Sequence, residues 1–406
     1  MKAGWQIKPL ADLCKIFADG DWIESKDQSL NGVRLIQTGN VGEGCFKDRG
    51  EKARYVSLET FKRLRCTEIF ESDCLISRLP DPVGRCCLLP ETGEQMITAV
   101  DCTIVRFDKN ICIPEFFIYY TQSVNYLNDV DSETSGTTRK RISRSKLSQV
   151  AVPIPTPHEQ QRIVAILDQA FEGIAKARAN AEQNLQNARA LFESHLQSVF
   201  NQRGEGWVEK TLSAVCEIKP PKSEAKKLLR NSDLVSFAPM EDLGINQKYL
   251  KPKKQRTLED VAGSYTYFAE GDVLLAKITP CFENGKLGIA KNLINGIGFG
   301  SSEYIVFRPN KELSNEFLYY FLSRKRFIEE GAVRMSGAVG HKRVSKEFIE
   351  EYKVAFPSLD TQNMMVKKID NLSKETQRLE AIYQRKIALL DELKKSLLQQ
   401  AFAGEL

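Results

Sequence analysis

Two stretches decide the architecture: GWQIKPLADLCKI, Gly4–Ile16, and GWVEKTLSAVCEI, Gly206–Ile218. Trp5 and Trp207 lie 202 residues apart, as do Lys8 and Lys210, Leu10 and Leu212, and Cys14 and Cys216. Working outward, Glu115-Phe116-Phe117 answers Glu316-Phe317-Leu318, and Ser135-Gly136 answers Ser336-Gly337, at a shift of 201. The shift then returns to 202 for Pro155 with Pro357, Gln160 with Gln362, Asp168 with Asp370 and Phe200 with Phe402. The chain is a tandem duplication, so one structural unit is expected to be used twice.

Length and composition agree. A chain of 406 residues exceeds one ordinary core, and two domains of about 150 residues are the natural expectation. Hydrophobic residues at 42% and charged residues at 27% describe a soluble globular protein, not a disordered one. The net charge of +5, from 58 basic and 53 acidic residues, is too small to argue nucleic-acid binding; local clustering would have to do so. No apolar run approaches the ~20 residues of a membrane span, and the N-terminal stretch lacks a signal-peptide core. The ten cysteines include no CxxC pair and read as reduced, mostly buried thiols of a cytoplasmic protein. His158, His195 and His341 are too scattered to build a metal site, so no metal is expected.

Each copy has two sections. The first contains β-type runs bounded by Gly, Pro and Asn: CTIVRF (102–107), DVLLAKI (272–278) and EYIVF (303–307). They predict a mixed α/β or mainly β domain. PEFFIYYTQS (114–123) and NEFLYYFLSR (315–324) each read as an amphipathic helix. The second section is a long helix. Thr156-Pro157-His158-Glu159 supplies an N-cap, a Pro at the first helical position and an acid three residues after the cap. The second copy starts at Ser358 with Thr361 in place of that acid. The expected division is therefore a globular section over 1–157, a helix over 158–203, a second globular section over 204–357 and a second helix over 358–406.

A 3-4 spacing through the second helix runs Ile369, Leu372, Thr376, Leu379, Tyr383, Lys386, Leu390, Leu393, Leu397. The same phase in the first helix gives Leu167, Ala170, Ile174, Ala177, Ala181, Asn184, Ala188, Leu191, His195. One stripe is bulky and the other small, which suits knobs of one helix against an alanine-lined face of the other. Two copies of one unit related by a pseudo-twofold axis predict an antiparallel coiled coil. About 40 residues at 1.5 Å each would make a rod of roughly 60 Å, a ruler.

Catalytic signatures are missing. There is no phosphate-binding G-x-x-x-x-G-K-[ST] loop, no HExxH, no Cys/His constellation and no Asn/Asp-Pro-Pro-aromatic segment. Glu224-Ala225-Lys226 has no Pro-Asp upstream at nuclease-like distance, so chance is the better account of the triplet. Asn295–Gly300 leads into a strand-like run instead of opening a helix, so it reads as a turn and not a dinucleotide fingerprint.

Basic residues do cluster with Gly, Ser, Thr and Asn. SGTTRKRISRSKL (135–147) and SGAVGHKRVSKEF (336–348) share a Ser-Gly opening and a basic pair followed by a β-branched residue and Ser. Such composition suits DNA: Lys and Arg neutralise phosphates, and Arg, Gln and Asn can pair with base edges. The candidates in the first copy are Gln37, Thr38, Asn40, Arg78 and the loop residues Thr137, Thr138, Arg139, Lys140, Arg141 and Arg144. In the second they are Lys277, Thr279, Asn284 and Lys286, with His341, Lys342, Arg343 and Lys346 from its loop. A further basic run covers Lys248–Arg256. Any single cluster reads first as a solvated face; the pairing of the two Ser-Gly loops shifts the balance there to DNA contact.

VPIPTPHEQQRIVAILD (152–168), its copy VAFPSLDTQNMMVKKID (354–370) and LLQQAFAGEL (397–406) resemble the specificity subunit of type I restriction–modification enzymes. GDVLLAKITPCFENGK (271–286) and GFGSSEYIVFRP (298–309) resemble a target-recognition domain of that family. The resemblance covers essentially the full chain. It implies an α+β fold of two mixed α/β target-recognition domains in tandem pseudo-repeat, separated by two long helices that pair antiparallel. It also implies a non-catalytic reader of a bipartite, asymmetric DNA site with a fixed unread spacer, docking two methyltransferase and two restriction/translocase subunits. S-adenosylmethionine, ATP and Mg2+ would then belong to those partners, with no cofactor on this chain. A coiled-coil adaptor that never touches DNA, or the specificity subunit of a methylation-only system, are the alternative readings.

Overall fold

The structure, a computed structural model, describes residues 4–136, 139–338 and 340–406. Contacts divide the chain into two compact units, Met1–Glu182 with Gln384–Leu406, and Gln183–Tyr383. The division cuts across both long helices, Pro157–Asn201 and Leu359–Ala403. Each half-helix is buried by the domain at its own end.

In the first unit a two-stranded clasp pairs Gln6–Pro9 with Ala151–Ile154 and closes the domain on itself. A four-stranded sheet runs in the order Cys14–Asp19, Cys102–Phe107, Cys74–Ser77, Cys86–Leu88. A five-stranded sheet has Val33–Ile36 parallel to Met96–Thr98 at its centre. Alternate residues of the shared strands face two different cores. Cys74, Ile76 and Val105 point toward the helices, while Leu75, Cys102 and Ile104 point toward the second sheet.

The second unit repeats the clasp, the four-stranded sheet and, in places, the register, but its counterpart of the five-stranded sheet has four strands. The clasp pair Lys8↔Val152 recurs as Lys210↔Val354, and the parallel pair Arg34↔Met96 recurs as Ser236↔Gly298, each residue 202 positions on. The central ion pair recurs too. Arg106 grips the buried Asp73 through two bonds of 2.7 Å, and Arg308 grips Asp272 through two of 2.9 Å. The expected strands and helices are present: Cys102–Phe107, Val273–Ala276, Tyr304–Pro309, Pro114–Tyr120 and Asn315–Ser323. The sequence left mixed α/β and mainly β open; the sheets here are mixed, packed with helices. Asn295 adopts a left-handed conformation (φ 53°) in the turn Ile294–Gly296, so the turn reading holds for Asn295 and Gly296, while Ile297–Gly300, read with them as turn, forms a strand.

Each long helix is fixed to a domain by a joint that uses the repeated residues. Gln160, fully buried, accepts from Ile113 N (2.8 Å) and donates to the carbonyls of Ile111 (2.8 Å) and Pro155 (2.9 Å). Gln362 makes the same three bonds, with Ser314 N, Glu312 O and Pro357 O. About two turns on, Tyr119 donates to Asp168 and Tyr320 to Asp370. Aromatic stacking completes the joint. Phe402 packs edge-on against Phe116 and Tyr120 in the first unit, Phe200 against Phe317 and Phe321 in the second.

Within each unit the two half-helices run antiparallel. In the first, Ile163 and Leu167 share a core with Leu398 and Ala401, while Arg178 pairs with Asp391. In the second, Leu196 and Phe200 share a core with Val366 and Ile369, while Arg189 pairs with Glu380 at 3.0 Å. Of the expected seam, Leu167, Ala181, Ala188 and Ile369 are buried, and Ile174, Leu372, Tyr383, Leu390 and Leu397 half-buried. Three positions need correction: Leu191, Leu379 and Leu393 are 64%, 40% and 47% exposed. Phe192, Glu380 and Lys394 take the inward places, and Lys394 lays its ammonium over the Phe171 ring at 4.9 Å. Residues i+3 and i+4 lie on nearly the same side of a 3.6-residue turn, so a fixed 3-4 count drifts off the seam.

No helix among the described residues is long and apolar enough to cross a membrane. All ten cysteines are free, seven of them buried, and burial pushes the Cys14 and Cys102 thiols up to about 12.

Candidate nucleic-acid interface

The paired Ser-Gly loops are built alike. Ser135 and Arg141 exchange backbone hydrogen bonds, N–H to carbonyl each way at 2.9 Å; Ser336 and Arg343 do the same at 3.0 and 2.8 Å. Gly136 and Gly337 sit at φ +99° and +128°, and a Cβ there would stand 2.6 and 2.9 Å from the carbonyls of Arg139 and His341. Glycine is therefore required in both turns. The β-branched residue that follows is buried (Ile142, Val344) and its N–H bonds the carbonyl of Arg78 or Lys277 at the end of a core strand. The next residue, Ser143 or Ser345, caps a short helix by accepting from Lys146 N or Phe348 N.

The arginine of each loop is held by a carboxylate. Arg141 Nη2 lies 2.9 Å from Asp101, and Arg343 reaches Glu303 through Nε (2.9 Å) and Nη2 (2.8 Å). Asp101 and Glu303 stand 202 residues apart, so the duplication offset alone could have found them; a search for cations passed them over. The Arg343 hydrogen bonds hold the Glu303 carboxyl below its usual range. Burial first, then repulsion from Lys219 and Arg343, pulls the Lys277 ammonium down, partly opposed by Glu303.

The loops thus bring together Arg139, Lys140, Arg141 and Arg144 on one domain, and His341, Lys342, Arg343 and Lys346 on the other, all exposed. Lys140 is paired with Asp131 and Lys346 with Glu350. Thr137 and Thr138 lie outside the described residues. Arg78 is a correction. It is 4% exposed, donates to the Val100 carbonyl and lies 3.4 Å from Asp19, so its guanidinium is committed inside the domain. Asn40 is also buried and closes its own turn, accepting from Gln37 N and donating to Lys47 O. Gln37 and Thr38 are half-buried beside it.

In the second domain Lys277 donates to Ser302 O (2.9 Å), Lys286 to Met240 O (2.8 Å) and Thr279 to Glu283 (2.9 Å), while Asn284 is exposed. The Lys286 bond has a counterpart in the first domain, where the buried Arg85 donates to Thr38 O. These are ties between loops. Lys248, from the third basic run, is likewise spent on Asp370 (2.8 Å) and Glu316 (3.2 Å).

A basic recess in the first domain joins Arg34, Gln37 and Asn40, from a cluster legible in the sequence, to Arg49, Lys52 and Arg54, which are not legible there. The buried Arg34 at its wall bridges Asp48 and Glu94. Acids alternate with the bases along residues 48–54, which masks the run as a mixed-charge surface. Glu224 of the Glu-x-Lys triplet is occupied by Arg308 at 2.7 Å. Among the described residues no three His, Cys, Asp or Glu side chains lie close enough together to hold a metal ion.

Two copies of a mixed α/β domain, each carrying a basic loop and each anchored on paired helices, define a duplicated recognition protein. The sequence matches, over residues 2–183 and 204–389, the family described as type I restriction modification DNA specificity domain, and the chain belongs to that family. The specificity subunit of the type I restriction enzyme EcoAI from Escherichia coli is 33% identical over 177 residues, 43% of this chain. That match spans 29% of the relative's own length. The EcoKI specificity subunit from Escherichia coli K12 is 23% identical across 99% of this chain and 89% of its own. Among solved structures, a chain from work on assembly and conformational transition of the type I R-M system superposes over 100% of this chain and 99% of its own, with a TM-score of 0.78 at 18% identity. That likeness speaks for the fold.

Proposed function

We propose that this chain reads a bipartite DNA site for a type I restriction–modification complex and makes or breaks no bond itself. Each domain contacts one half-site, its Ser-Gly loop meeting the phosphate backbone. The spacer between the half-sites goes unread. Because the domains diverge between their shared landmarks, the half-sites differ and the site is asymmetric. Methyltransferase subunits, two to a complex, flip and methylate an adenine in each half-site. Restriction/translocase subunits, again two, add ATP-driven cleavage. S-adenosylmethionine, ATP and Mg2+ serve those partners.

One observation carries the reading: the same basic loop, closed by the same backbone pair and held by the same arginine–carboxylate bridge, stands on both domains. The structural roles of its glycine, β-branched residue and serine account for the fold of the loop. They leave unexplained the exposed bases Arg139, His341 and Lys342, which phosphate contact accounts for. The test is to express the chain with its cognate methyltransferase and map methylated adenines across the host genome. A two-part motif with a constant gap is expected; methylation without any sequence motif would refute the reading.

A further inference from the structure

Arg324 of the second domain is 6% exposed, yet no carboxylate lies within ion-pair distance of it among the described residues. Its Nε donates to the Phe321 carbonyl (2.8 Å), and its guanidinium lies 3.8 Å above the Phe321 ring and 5.1 Å from that of Phe200. It lines a recess in which Arg203 pairs with Glu209 (2.6 Å), Arg326 with Glu330 (2.8 Å) and Lys353 with Glu209 (3.6 Å), while Arg334 donates to the Glu330 carbonyl (2.7 Å) and lies over the Phe348 ring (5.3 Å). Burial pulls its guanidinium down to about 10, which still leaves it charged at neutral pH. A buried cation without a counter-charge is costly to keep.

Comparison of the two copies sharpens the point. The first domain places Ser123 where the second has Arg324, 201 residues on, and Ser123 caps its helix by accepting from Tyr126 N. Arg324 precedes the nine-residue helix Lys325–Val333, which has no side-chain cap and no acid in its first turn. The second domain has given up a cap, of the order of 1 kcal/mol, and its arginine turns back over Phe321 instead. The buried guanidinium favours an anion in the recess.

We propose that this recess is a docking site for a single carboxylate side chain presented by a protein partner, with apolar surface flanking it. The aromatic walls formed by Phe200, Phe321, Phe348 and Tyr352 suit that flank. The lining sets the glutamates Glu209, Glu330, Glu347 and Glu351 against the cations Arg203, Arg324, Arg326, Arg334 and Lys353, so the recess is nearly neutral and suits one carboxylate at the arginine better than a polyanion such as DNA. The inference is independent of where DNA is read.

The test uses the full chain and a small probe, 3-phenylpropionate, with its uncharged amide as control and calorimetry as readout. The acid should bind about tenfold or more tightly than the amide. R324M keeps the stack on Phe321 and should abolish that preference without shifting the melting temperature. If R324M does not fold, R324K keeps the charge but loses the planar fork, and the preference should fall severalfold. Equal binding of acid and amide, a preference unchanged in R324M or R324K, or displacement of the acid by duplex DNA would each overturn the proposal; the last would make the recess a phosphate contact.

Discussion

The double variant R141M/R343M tests the loops as phosphate contacts. The side chains are 44% and 47% exposed and each is bonded to a carboxylate that is itself partly exposed, so losing the pairs costs about 0–1 kcal/mol apiece and the fold survives. If each arginine neutralises one phosphate, removing both makes the slope of log K against log salt shallower by about 1.8. Between 50 and 200 mM salt, the unaltered protein should therefore lose about twelve times more affinity than the variant over the same range. Fluorescence anisotropy of a labelled duplex, with thermal melts as a check of folding, reads this directly. An unchanged slope in a variant that melts normally would show that these arginines serve the loop and not the phosphates. The carboxylate partners give the opposite sign. D101N/E303Q removes two negative charges from the same face, so low-salt affinity should rise and the slope steepen, and a fall at constant slope would refute the shared-face geometry.

Three further outcomes follow from the packing. Replacing Gln160 by Leu strands one buried N–H and two carbonyls and should cost about 3–5 kcal/mol in urea unfolding followed through the buried Trp5; a loss under 1 kcal/mol would show the joint to be dispensable. Ile369→Ala should cost about 2–5 kcal/mol and Leu393→Ala under about 0.5 by the same measurement, because the first is buried and the second is 47% exposed; equal costs would contradict the seam found here. The depressed Glu303 carboxyl stabilises the folded state above its ordinary pKa of 4.5 and loses that contribution as pH falls through its lower folded value. Below about pH 4.5 the stability of the unaltered protein should therefore approach that of E303Q, and a gap that persisted in acid would refute the pairing.

The sequence by itself determined the duplication, the long helices and their starts, because these depend on the chain alone. A repeat shows as identity at a constant offset. Thr156 caps a helix by bonding Glu159 N three residues away, whatever surrounds it. The strands Cys102–Phe107 and Tyr304–Pro309 were equally legible from their β-branched runs. Three-dimensional packing decided the rest. Whether a base is a contact or a tie depends on what lies across from it. Arg78 and Lys286 read in the sequence like Arg139 and Lys342, but distant carbonyls at Val100 and Met240 claim them. The acids that hold the loop arginines lie 40 residues before them, beyond any local pattern. The seam was misplaced at Leu191, Leu379 and Leu393 for a related reason. A helix presents residues three and four apart to nearly the same side, and the element packed against it selects between them.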